Sequence, residues 1–299
     1  MPRALVFGST GQVARELARA TWPEGMEPVF LDRHAADLAR PDDLRGVVTE
    51  HRPDIVIIAA GYTDVERAED DEETATLVNA AGPAAISSAA ADLLAPIVYL
   101  STDFVFDGRK GSPYVEADEA NPVNAYGRSK LAGEEAVRAA NPKHLILRTS
   151  WVYSPFGRNF LRTMLMLAAT NEELSVVSDQ RGCPTAAGDL AAAVASVASR
   201  LLGSGVRWGT FHLAGGTATS RHEFAEAMFR ELAEGGRTRP RLHAVPTASF
   251  PTRARRPPDS RLSSDAFARE SGVRLRGFEE ALPSVLREAL DVMAEGEAT

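Results

Sequence analysis

The chain has 299 residues, 44% of them apolar, and a formal net charge of −8. This is enough for one large domain or two unequal ones, and the acidic balance argues against nucleic acid as a partner. A single cysteine, Cys183, excludes an intramolecular disulfide and fits a reducing, cytoplasmic home, and no apolar run reaches the roughly 18 residues of a membrane span. Ala4–Phe7 reads as a first strand leading into a glycine turn, not as a signal peptide. Gln12–Ala20 reads as a helix, Val29–Leu31 as a strand and Asp42–His51 as a helix. Asp54–Ala59 is a continuous apolar run of the kind buried on both faces of a parallel sheet. A long Ala-rich helix over Glu73–Leu94, a strand at Ile97–Leu100, a helix over Tyr126–Ala140 and a strand at His144–Arg148 follow.

This β-α alternation predicts an α/β fold: a Rossmann-like, doubly wound parallel sheet with right-handed crossovers. After about Trp151 the rhythm loosens. Helices are expected at Asn159–Thr170, Asp189–Leu202, Ser220–Ala233 and Glu279–Ala294, with short strands at Leu174–Val177 and Phe211–Leu213. Gly235–Pro258, rich in Arg, Pro and Thr, reads as a long loop. Residues 1–150 are expected to bind the dinucleotide. Residues 151–299 should form mainly a smaller C-terminal substrate-binding lobe, with the chain crossing between lobes.

Gly8-Ser9-Thr10-Gly11-Gln12-Val13-Ala14 lies between the first strand and the first helix. Gly8 permits the tight turn, Gly11 lets backbone approach a pyrophosphate, and the helix N-terminus supplies orphan N–H groups. Ala14 stands where a third glycine aids close packing, a tolerated variant. Asp32 ends the second strand, 24 residues after Gly8, where an acid bonds the adenosine ribose and favours NADH. Arg33 beside it suits the 2′-phosphate of NADPH, so both cofactors stay open. Asp37 and Leu38 suit the adenine and serve equally as helix-capping residues. Ala59-Ala60-Gly61 ends the third strand with residues small enough for close approach of a cofactor or of neighbouring backbone.

Ser101-Thr102 closes the strand beginning at Ile97, on the edge where open α/β sheets bind ligands. Tyr126 and Lys130 are four apart on the next helix and share a face. A phenol near pKa ~10 is a poor proton donor at neutral pH, and a neighbouring ammonium lowers it. The expectation is that Thr102 and Tyr126 hold a substrate carbonyl and Tyr126 donates its proton. Lys130 lowers the Tyr126 pKa and bonds the nicotinamide ribose.

In this order, these motifs resemble the extended short-chain dehydrogenase/reductase superfamily and, within it, the dTDP-4-dehydrorhamnose reductase family. The similarity continues through Arg52-Pro53-Asp54, Tyr62-Thr63, Asp103-Phe104-Val105-Phe106-Asp107-Gly108, Asn124-Ala125, Lys130-Leu131-Ala132-Gly133-Glu134 and Arg148-Thr149-Ser150-Trp151-Val152-Tyr153. Asp179–Thr185 and Arg256–Leu262 complete it. The resemblance implies reduction of the C4 ketone of a dTDP-4-keto-6-deoxy sugar by NADPH or NADH, with Thr102, Tyr126 and Lys130 catalytic. Thr63, Asp103, Phe104 and Trp151 would line the sugar-nucleotide side, and Arg256 would meet the diphosphate. A homodimer is compatible with it. Phe104 stands for a commoner tyrosine and Asp259 for a commoner asparagine, which bears on which sugar is taken.

Three other readings compete. Dehydratases of this superfamily follow the threonine with Asp-Glu, and Phe104 supplies no acid or base for elimination. An epimerase fits the Arg148–Trp151 and Asp179–Thr185 segments less well than a reductase. A non-catalytic regulatory subunit, like that of methionine adenosyltransferase, is at odds with the intact Thr102, Tyr126 and Lys130. The arginines at 237, 239, 241, 253, 255 and 261 read as a solvated surface.

Overall fold

The structure, a computed structural model, describes residues 1–202, 205 and 207–296. Its first half runs β1 (Arg3–Phe7), α1 (Gln12–Arg19), β2 (Glu27–Leu31), α2 (Pro41–His51), β3 (Ile55–Ile58), α3 (Val65–Ala68), α4 (Glu72–Thr76), α5 (Gly82–Asp92), β4 (Ile97–Thr102), α6 (Ala125–Ala140) and β5 (His144–Thr149). The second half runs β6 (Val152–Tyr153), α7 (Phe160–Ala168), β7 (Glu173–Val177), β8 (Arg181–Gly182), β9 (Thr185–Ala186), α8 (Ala187–Leu202), β10 (Gly209–His212), β11 (Thr219–Ser220), α9 (Arg221–Glu234), β12 (Arg241–Val245), α10 (Asp265–Ser271) and α11 (Phe278–Ala294).

The central sheet is parallel throughout, in the order β2-β1-β3-β4-β5-β10. Helices cover both faces, which is why β3 is apolar and buried at every position. On one face Leu17 of α1 and Leu190, Val194 and Val197 of α8 meet Val6 and Ile57. On the other, Leu44 and Val48 of α2, Ile86 of α5 and Val137 of α6 meet Phe7 and Tyr99. The strand order reverses between β1 and β3, which opens a crevice at the carboxyl ends of the strands.

A second core gathers Leu161 of α7, Leu174 of β7, Phe224 and Met228 of α9 and Leu282 of α11. Three small two-stranded pairings surround it: β7 with β12, β6 with β9, and β8 with β11.

Three expectations need correction. The helix over Glu73–Leu94 is not uniform, because a π-helical turn at Leu77–Ala81 separates α4 from α5. Pro83 has no N–H for the carbonyl of Asn79 four residues before it, and that carbonyl accepts the Tyr99 hydroxyl instead, at 2.7 Å. The loop over Gly235–Pro258 contains β12, whose pairing with the distant β7 offsets its weak local strand signal. The strand at Phe211–Leu213 does not interleave with the C-terminal helices. As β10 it completes the central sheet beside β5.

Candidate active site

The glycine turn sits at the β1–α1 junction. Gly8 has φ +110°, and an added Cβ would come within 3.0 Å of the Ala60 backbone nitrogen, so only glycine suits the turn. Gly11 caps α1 without a side-chain cap, and the space beside its Cα is open. The first N–H groups of α1 are therefore free of side-chain partners, and Thr10 is exposed beside them. Gln12 donates to the Val152 carbonyl at 3.3 Å, while its own buried Oε1 has no partner among the described residues. Val13 packs against the sheet core, and Ala14 is buried.

At the end of β2, Asp32 does not stand free. Its Oδ1 accepts the backbone N–H groups of His34 and Ala35, each at 2.9 Å. Arg33 is exposed and pairs with Asp37 at 3.3 Å. The Leu38 side chain, expected round an adenine, is buried in the sheet core. Ala59 and Ala60 both donate to the Phe7 carbonyl, which folds the β3 exit back over the glycine turn. Gly61 abuts Asn79. That asparagine accepts from the Tyr62 N–H and donates to the Tyr62 carbonyl and the Ser129 hydroxyl, clamping the β3 exit to α6. Thr63 is exposed just beyond this clamp.

Thr102 ends β4. Its hydroxyl donates to Asp103 Oδ1 at 3.2 Å, accepts the Phe104 N–H at 3.2 Å and lies close enough to the Tyr126 phenol to favour its anion. Asn124 caps α6 by accepting the Gly127 N–H at 2.7 Å, which sets the first turn that carries Tyr126. The Phe104 ring meets Tyr126 edge-on at 5.9 Å. Asp103 is 2% exposed, and its Oδ2 accepts the hydroxyls of Ser150 and Ser260. Burial raises its carboxyl to about 6, against the pull of those hydroxyls. The carboxylate thus braces Thr102 from behind, with both oxygens already engaged.

The expected effect of Lys130 on Tyr126 is not what the side chains do. Burial pushes the Tyr126 phenol up to about 12, with the Thr102 hydroxyl pulling down and Asp103 pushing up. Lys130 is turned away: its ammonium donates to the Leu100 carbonyl at 2.7 Å and sits 3.9 Å from the Tyr99 ring centroid. Burial lowers its own pKa to about 7, while Glu134 one turn on favours its charge. Desolvation of the phenol outweighs a cation aimed elsewhere.

Glu134 is fully buried and accepts from Arg148 through two nitrogens, at 2.8 and 2.7 Å, and from the Ser101 hydroxyl at 2.5 Å. Trp151 holds φ +46°, a rare state for a bulky residue. Its backbone is fixed by the β6–β9 pairing, and its ring fills the space a Cβ at Gly182 would need, 2.3 Å from Cε2. Arg256 pairs with Glu66 at 2.7 Å, and Asp259 is held in a two-pronged pair by Arg261. Beside these, a cleft of 410 Å³ opens along Phe250–Arg253, Arg255 and Arg256.

The family model for the RmlD substrate binding domain matches residues 2–290. The chain is 44% identical, over 281 residues, to the dTDP-4-dehydrorhamnose reductase of Sinorhizobium fredii, covering 93% of this chain and 95% of that protein. The chain belongs to the dTDP-4-dehydrorhamnose reductase family. Among solved structures, that of the Clostridium acetobutylicum dTDP-4-dehydrorhamnose reductase superposes with a TM-score of 0.89 at 34% identity, covering 98% of this chain and 99% of that one. The Bacillus anthracis enzyme, solved in complex with NADP, gives 0.89 at 32% identity, with 96% and 100% covered.

Within this member of the dTDP-4-dehydrorhamnose reductase family, the structure brings Thr102, Asp103, Phe104 and Tyr126 together, with Lys130 one turn behind and Trp151 near Asp103 through Arg221. Arg256 lies further out, against α3. Sequence reasoning assigned no role to Asn79, Tyr99, Glu134, Arg148, Ser150, Arg221 or Ser260. Glu134, four residues after Lys130 on one helix face, and the family segments that hold Arg148, Ser150 and Ser260 were the signals available for this group. The rest meet only through pairings that cross the sheet.

Proposed function

We propose that this chain is an NAD(P)H-dependent oxidoreductase that reduces the C4 ketone of a dTDP-4-keto-6-deoxy sugar, with dTDP-4-dehydrorhamnose as the first substrate to test. The observation that carries this reading is the placement of Thr102, at the carboxyl end of β4, beside the first turn of α6 that carries Tyr126, one helical turn from Lys130, in a chain of this family. The residues fit a dinucleotide: positive φ at Gly8, open space beside Gly11 and uncapped N–H groups on α1 form a cradle for phosphates. Gly8, Thr10, Gly11, Gln12 and Val13 would hold the pyrophosphate, and Ala59, Ala60 and Gly61 would border the nicotinamide half. Asp32 keeps one oxygen for a ribose and Arg33 is placed for a 2′-phosphate, so both NADPH and NADH are accommodated.

Bound there, the cofactor supplies hydride. The protein's part is to hold the carbonyl oxygen between the Thr102 hydroxyl and the Tyr126 phenol and to deliver the Tyr126 proton to that oxygen. At about 12, the phenol holds its proton throughout the neutral range. Lys130, on leaving the Leu100 carbonyl for a ribose hydroxyl, would bring its charge nearer the phenol and ease that transfer. Thr63, Phe104 and Trp151 would face the sugar, with Asp103 bracing Thr102 and Arg256 at the outer rim. Residues 1–150 mainly serve the dinucleotide and residues 151–299 mainly the sugar nucleotide, in a cytoplasmic enzyme that forms a homodimer.

The regulatory-subunit reading is not favoured, because the relatives compared are named as reductases. The test is consumption of NADPH, followed by absorbance, with a panel of dTDP-4-keto sugars and product NMR. A flat trace across the panel, from protein that binds NADPH, would refute the reductase reading.

A further inference from the structure

Arg221 opens α9, and its guanidinium lies over the Trp151 ring at 3.6 Å from the centroid and 5.1 Å from that of Phe160. Several arginines nearby are paired with a carboxylate: Arg148 with Glu134, Arg256 with Glu66, Arg261 with Asp259 and Arg276 with Asp189. Arg221 has none within ion-pairing distance, and its guanidinium makes no hydrogen bond among the described residues. The two charges nearest in effect are Asp103, which attracts it, and Arg256, which repels it. Asp103 is no free counter-ion, since Thr102, Ser150 and Ser260 already occupy its oxygens. Burial and Arg256 together push Arg221 down to about 9, as expected of a half-buried cation that lacks an anion. A planar guanidinium stacked on an aromatic ring keeps its N–H fork free for a bidentate oxyanion.

We infer that Arg221, stacked on Trp151, binds the diphosphate of the sugar nucleotide, more directly than the Arg256 already paired with Glu66. This rests on the reductase reading and deepens it. The Trp151 ring sets the height of the guanidinium, and Gly182 leaves room for that ring.

The test is titration calorimetry with thymidine 5′-diphosphate and with thymidine, on wild type, Arg221→Met and Arg221→Lys, with NADPH binding as the check on folding. Arg221→Met is expected to weaken the diphosphate by about 10- to 100-fold and leave thymidine unchanged. Arg221→Lys should fall between, because it keeps the charge without the fork. With the keto sugar, Arg221→Met should raise KM by more than it lowers kcat. If Arg221→Met binds thymidine diphosphate within about twofold of a wild type that reduces the sugar, the Arg221 assignment falls alone. If it loses the diphosphate while wild type reduces no keto sugar, Arg221 stands and the reductase reading falls. Should Arg221→Met lose NADPH binding, Arg221→Lys decides: several-fold weaker diphosphate binding supports the assignment, and wild-type affinity overturns it.

Discussion

At Tyr126 two effects oppose. Desolvation holds the phenol protonated, and the Thr102 hydroxyl stabilises its anion. Removing only the proton donor, Tyr126→Phe should lower kcat/KM by about 10²–10⁴-fold while NADPH binding stays within about twofold, read by cofactor fluorescence. Asp103 offers a pH test. Its folded pKa, about 6, lies above the ordinary 3.8, so the stability it contributes is full below 3.8 and is lost as pH rises through 6. Asp103→Asn should therefore be more stable than wild type above pH ~6, by up to about 2–3 kcal/mol, with the gap closing towards pH ~4. Thermal melts across that range check it, and a pH-independent difference would remove the assigned burial effect. At the cofactor end, Arg33→Ala should weaken NADPH more than NADH, by roughly tenfold in the ratio of dissociation constants.

At the scale of elements, helix α6 is held to the sheet by a buried ionic knot. Glu134 joins Ser101 of β4 and Arg148 of β5, so the helix carrying Tyr126 and Lys130 is registered against the strand carrying Thr102. Glu134→Ala should cost about 3–5 kcal/mol in urea unfolding, because it strands the Arg148 charge. Glu134→Met with Arg148→Met should recover much of that loss, whereas simple additivity in the double mutant would show that the two do not act as a pair. The π turn before α5 belongs to the same assembly, since it presents the Asn79 carbonyl to Tyr99 and the Asn79 amide to Tyr62 and Ser129.

For the whole molecule, the second half of the chain does not stay apart from the first. Helix α8 packs beside α1 on one face of the sheet, and β10 extends the sheet beyond β5. A fragment of residues 1–150 would expose the face that Leu190, Val194 and Val197 cover and leave β5 as a bare edge. Such a fragment should lack a cooperative thermal transition and bind dye as a loosely packed chain, whereas the full chain melts sharply. A sharp transition in the fragment would mean that the sheet is self-sufficient without α8 and β10.

Much of this was local and so legible. The glycine turn, the apolar run of β3 and the Tyr126–Lys130 spacing each depend on near neighbours and on helix or strand periodicity, which one sequence displays. The strand β12 was hidden because its stability comes from β7, more than sixty residues away. The π turn was hidden because Pro83 breaks the helix only together with a Tyr99 hydroxyl ready to receive the freed carbonyl. By itself, the sequence determined the α/β alternation, the order of the motifs and the family. The tertiary structure decided which way Lys130 points, how far burial raises Tyr126 and Asp103, and that Arg221 stacks on Trp151. Direction, desolvation and charge pairing are set by groups brought together across the fold, and no spacing along the chain encodes them.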